Sequence, residues 1–167
     1  EIIELIIKSL VDILLSPPSS FLLSDSASSS IDPQIQSAFF FLFSQAIDMF
    51  CENKFENLFG HITEILVSYI NNENKSVLLR CNTIVVAAHF CSSCGNLVSN
   101  AGSFSQIVQN AAFQVITSTQ NIEANLLIAK AMKFLISADK NQFQSRLEML
   151  FQFAFEIIDN CDYFGLF

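Results

Sequence analysis

Apolar residues return with the period of an α-helix along nearly the whole of this chain, and no other feature restricts its fold so tightly. From Phe104 to Ile116 they fall at 104, 107, 108, 111, 112, 115 and 116, while Ser105, Gln106, Gln109, Asn110 and Gln114 fill the other face. Phe55, Leu58, Phe59, Ile62, Ile65, Leu66, Tyr69 and Ile70 repeat the pattern beside a polar stripe of Asn57, His61, Glu64 and Ser68. Between Phe143 and Ile158 the polar stripe narrows to Ser145, Glu148, Gln152, Glu156 and Asp159, so that helix must be covered on more than one side. The β-branched run Thr83-Ile84-Val85-Val86 lies inside a longer helical period and reads as helix by length. An all-α fold without strands is predicted.

Caps and breakers agree with the periods. Asp32-Pro33 pairs an N-cap with proline at the first helical position and opens a helix to about Cys51. Asn53 opens one to about Asn71, and Asn74 one from Lys75 to about Ser93, with Gly95 placed for a left-handed C-terminal residue. Ser103 starts a helix to about Thr117, Gln120-Asn121 one to about Ala138, and Asp139 with Asn141 the last, to about Asn160. With Ile2 to Leu15 in front, seven helices are predicted. Residues 16–32 form a Ser/Pro-rich linker interrupted by Phe21-Leu22-Leu23, read chiefly as a long connection without regulation, although serines beside proline or acid are phosphorylation candidates. The tail 161–167 is aromatic and apolar, and the chain opens on Glu1, so both ends read as continuing into a longer chain.

Composition excludes several functions. With 16 Asp and Glu against 8 Lys and Arg, a net charge of −8 and no basic cluster, the chain repels polyphosphate, and no nucleic-acid binding is expected. Although 51% of residues are hydrophobic and 14% charged, the apolar stretches are interrupted, 37–50 by Gln45 and Asp48 and 77–91 by Arg80 and Asn82. No membrane span is therefore expected. Glu1 and Glu4 stand where a signal sequence carries basic residues. Five cysteines, an odd number within or beside apolar runs, read as buried free thiols in a reducing compartment, which places the protein in the cytoplasm.

Motifs for chemistry are sparse. Cys91-Ser-Ser-Cys94 has CxxC spacing with His89 nearby, but it falls at a helix C-terminus, where the dipole opposes thiolate formation, and no second pair completes a zinc set. A set of His89, Cys91 and Cys94 with Cys81 or His61 lacks specific spacing, and buried structural cysteines are the preferred reading. His61 and Glu64 share a helical face at i, i+3, without a second copy to build a carboxylate-bridged metal site. His89 is expected to satisfy a local carbonyl. No GxSxG turn, P-loop or GxGxxG occurs. No catalysis, cofactor, metal or small-molecule substrate is expected.

The predicted helix starts near 33, 75 and 121 are about 40 to 46 residues apart, and their partners start near 53, 103 and 141. Leu78-Leu79 recurs as Leu126-Leu127, and Val86-Ala87 is matched by Phe134-Leu135. In period and pattern the chain resembles the HEAT/armadillo superfamily over residues 33–160, with Pro33 opening a hairpin and no regular Asp/Arg ladder. The resemblance implies three antiparallel hairpins, 33–71, 75–117 and 121–160, stacked as a right-handed solenoid, with 1–15 the second half of a preceding hairpin. A compact bundle of six or seven helices is the alternative.

The implied function is a non-catalytic protein–protein interaction scaffold, part of a larger helical-repeat protein held in a multi-protein assembly of cytoskeletal or other structural kind. Its partners would be other proteins or neighbouring repeats. A nuclear-transport receptor of importin-β type binding basic cargo, and a helical metal or redox protein, are the alternatives. Helical phase places Asn57, His61, Glu64, Gln106, Gln109, Asn110, Glu148, Gln152 and Glu156 on the candidate partner surface, and Phe39, Phe41 and Phe43 are candidate interface aromatics.

Overall fold

The computed structural model describes residues 56–94 and 101–163, with Leu5, Ser9, Phe43, Ser44, Ile47 and Asp48 as isolated helical positions before them. The rest of the leading segment, the Ser/Pro linker, Asp32-Pro33, Phe39, Phe41, Asn53, Gly95 and the last four residues lie outside the described ones. Among the described residues the chain is helical and holds no strand. Its elements are α1 (Glu56–Ile70), α2 (Val77–Cys94), α3 (Ala101–Ser118), α4 (Ile122–Ala138), a 3-10 helix (Lys140–Arg146) and α5 (Leu147–Tyr163). α1, α3 and α5 begin at residues 56, 101 and 147, and α2 and α4 at 77 and 122, so equivalent starts recur every 45 or 46 residues.

α2 is the centre of the core. Leu79, Cys81, Ile84, Val85, Ala88 and Phe90 are all buried, which takes in every side of the helix. It packs on α1, α3 and, most extensively, α4. The small residues Ala87 and Ala88 on α2 and Ala124 and Ala131 on α4 are completely buried and leave room for the two backbones to approach. α1 also packs on α3, and α4 on α5. By length and mean hydropathy (1.4 over 18 residues) Val77–Cys94 could cross a membrane, but the same apolarity is accounted for by burial among neighbouring helices.

Phe90 ties the core together. Its ring centroid lies 6.5 Å from that of Phe43, 5.6 Å from Phe59 and 6.2 Å from Phe104, the last two edge to face. Phe43 is 3% exposed. It therefore belongs to the core and not to an interface, a correction to its reading as an interface aromatic, because helical phase cannot say which side of an all-round apolar helix meets Phe90.

The termini show how local chemistry sets the elements. Asn121 caps α4 as predicted, its side chain accepting from the Ala124 amide at 3.0 Å. At α2 the cap is Ser76, whose hydroxyl accepts from the Leu79 amide at 3.3 Å, and not Asn74. Asn72 takes the Asn74 amide at 3.0 Å in a side-chain turn, which moves the helix start to Val77. Arg80, a charge inside an apolar helix, sends its Nε to the Ile70 carbonyl at 2.9 Å and so satisfies the C-terminal end of α1. Asp139 accepts from the Asn141 amide at 3.1 Å, but what it caps is the 3-10 helix, and α-helix resumes only at Leu147. That segment is held by Phe143, which is 2% exposed and 6.2 Å from the Phe113 ring, while the Arg146 guanidinium lies 4.2 Å over Phe113.

Candidate functional site

The predicted partner surface divides among three helices. On α1, His61 and Glu64 face water, 3.9 Å apart, with side chains 52% and 82% exposed. A pair so open contributes little to stability and leaves both groups available for contact. The side chain of Asn57 lies outside the described ones. On α3, Gln106 and Asn110 are exposed, and Gln106 Nε2 donates to Asn110 Oδ1 at 3.1 Å, the i, i+4 reach of a helix face. On α5, Glu148, Gln152 and Glu156 are exposed. Because α5 packs chiefly on α4 and the 3-10 helix, the packing does not bring its stripe beside that of α1.

Gln109 is not part of the open surface. It is 4% exposed and its Nε2 donates to Ser105 Oγ at 3.2 Å; Ser105 is in turn hydrogen-bonded to the thiol of Cys91. This buried polar chain links α3 to α2, and a buried amide needs such partners. Helical phase alone sets Gln109 at the boundary of the polar stripe, and tertiary packing draws it inward. Asn125, on the first turn of α4, is also buried, and its Oδ1 has no hydrogen-bond partner.

The phenylalanines of the last helix separate by phase. Phe153 is 5% exposed and faces the core, whereas Phe151 and Phe155 are 62% and 63% exposed. Leu147 and Ile158 are exposed as well, so these four residues, spaced by four, four and three, form one apolar ridge along α5. On another flank of the helix a groove of about 530 Å³ lies against the end of α3, lined by Ile116, Thr119, Gln120, Met149, Gln152 and Phe153.

His89 makes side-chain contacts in place of the predicted carbonyl bond. Its Nε2 lies 3.3 Å from Asp48 Oδ1, and its ring stacks on Phe134 at 4.4 Å. Ser93 Oγ donates to the same Asp48 oxygen at 2.9 Å. The three residue types are those of a nucleophilic triad in the wrong order: the carboxylate stands between hydroxyl and ring, whereas a relay needs the imidazole to accept the serine proton. The cluster joins Asp48 to α2 and gives no activated nucleophile.

The cysteines are not all free. Cys81 and Cys91 are buried thiols, but Cys94 is disulfide-bonded to a cysteine whose side chain lies outside the described ones. That bond corrects the expectation of five free thiols. Burial pushes the Cys81 thiol up to about 11, partly offset by nearby Arg80, and the Cys91 thiol up to about 12, partly offset by the bond to Ser105. Neither thiol is therefore a nucleophile near neutral pH. Among the described residues, no three His, Cys, Asp or Glu side chains converge as metal ligands.

Comparison with protein-family models, with curated proteins and with solved structures finds no match to this chain.

Proposed function

We propose that this chain is a non-catalytic interaction scaffold, a stack of helical hairpins of HEAT/armadillo type. The observation that carries the reading is side-by-side packing of helices two apart in sequence. α2 lies on α4 and α1 on α3, with equivalent starts 45 residues apart, within the period of about 40 to 47 residues of such arrays. A stack of this kind has its core between layers and offers the outer faces of successive helices to partners. His61 and Glu64, then Gln106 and Asn110, are open on two of those helices.

Photo-cross-linking in the native cell tests the reading. A photoreactive residue at position 61 or 106 of the full-length protein should give discrete adducts with the same defined protein, absent when the group is placed at Glu73 in the α1–α2 link. No adduct at either position, or the same diffuse products from all three, would overturn it.

A further inference from the structure

We infer that the outer face of α5 is a docking site for an amphipathic helix whose apolar ridge is bordered by Lys or Arg, supplied by another protein. The inference rests on the scaffold reading and names the partner chemistry of one of its surfaces. Leu147, Phe151, Phe155 and Ile158 form an exposed ridge about 16 Å long, three turns of helix. Met149, Leu150, Phe153 and Ile157 hold the opposite side of α5 against the core, so the helix is seated and its ridge faces outward. Large apolar side chains in an unbroken row on a seated helix mark an interaction surface, in contrast to singly scattered ones.

Charge selects the occupant. Glu148, Gln152 and Asp159 each follow a ridge residue by one position, so they run along one edge of the ridge. The α5 sequence carries Glu148, Glu156, Asp159 and Asp162 and no Lys, Arg or His. The nearest basic side chain before it, Arg146, is engaged over Phe113. A second copy of this chain would set the edge acids Glu148 and Asp159 against their own counterparts on molecules of net charge −8, an arrangement that costs Coulomb energy as the apolar ridges close. A ligand helix with the same apolar spacing and basic edges meets the ridge with apolar surface and the edge with opposite charge.

The test uses the full chain and two labelled synthetic peptides of the same length as α5. Each carries a leucine ridge, one with Lys on its edges and the other with Glu at every Lys position. By fluorescence anisotropy the Lys peptide should bind at least about tenfold more tightly than its twin, with the gap closing at high salt. F151S and F155S should each weaken that binding about tenfold or more while leaving the melting temperature unchanged. E148K should weaken it, whereas E73K, which changes net charge equally at a distance, should not.

Equal binding of the two peptides, no binding of either, or equal effects of E148K and E73K would overturn the inference. So would a fall of several degrees in melting temperature for F151S and F155S, which would mean that this chain covers its own ridge. A dimer in sedimentation velocity that F155S dissolves would assign the ridge to a second copy. Cross-links at 61 and 106 without Lys-peptide binding would retain the scaffold and remove this site, so the two readings fail separately.

Discussion

Phe90 and Phe155 show how differently one residue type behaves according to the face it occupies. Phe90 is completely buried with three aromatic neighbours, so Phe90→Ala should lower stability by about 3–5 kcal/mol, measured by urea denaturation with helix content followed by circular dichroism. The buried thiols impose a pH dependence of their own. Cys81 and Cys91 ionise at about 11 and about 12 when folded, against 9.0 for an unperturbed thiol. The unfolded chain therefore holds fewer protons than the folded one in that interval. Their contribution is fully present below pH 9 and is lost as pH rises towards 12. Melting temperature should fall across that window, and substitution of Cys81 and Cys91 by Ala or Ser should flatten the fall. Reaction with iodoacetamide should be slow at neutral pH until the protein is unfolded.

At the scale of the element, the periodic segments are legible in the sequence because the helix repeats its chemistry every three or four residues. The start of α4 at Asn121 follows from a side chain bonding an amide three residues on, within the reach of sequence reasoning. The start of α2 was less legible, since Asn72, Asn74 and Ser76 all have side chains able to cap, and only the turn made by Asn72 decides in favour of Ser76. Ser76→Ala should destabilise the protein by about 1 kcal/mol, whereas Asn74→Ala should have little effect, both read from thermal unfolding. The 3-10 stretch was missed for a different reason. Asp139 gives a valid cap, but burial of Phe143 and the placement of Arg146 over Phe113 hold Lys140–Arg146 in a tighter winding before α5 begins.

At the scale of the whole molecule, an odd cysteine count does not make every thiol free, because parity says only that at least one is left over and nothing about the other four. The disulfide at Cys94 anchors the end of the central helix to a second part of the chain. Mild reduction should therefore lower the melting temperature by several degrees, in keeping with about 2–4 kcal/mol for a typical cross-link. Scanning fluorimetry with and without a phosphine reductant, paired with non-reducing mass spectrometry, checks this. An unchanged melting temperature in a chain shown to be reduced would mean that the bond constrains nothing.

By itself the amino-acid order determined that the described chain is helical, where α4 begins, where most of its helices end, and that their starts recur at a regular spacing. These follow from interactions between residues at most four positions apart. Only the tertiary structure decided that Gln109 turns inward to Ser105, that Arg80 satisfies the end of α1, and that Phe43 and Phe153 are covered while Phe151 and Phe155 are not. A helix that is apolar around most of its circumference has several faces equally fit for burial. Which of them is used depends on the neighbours that reach it, and those come from segments that local pattern does not connect.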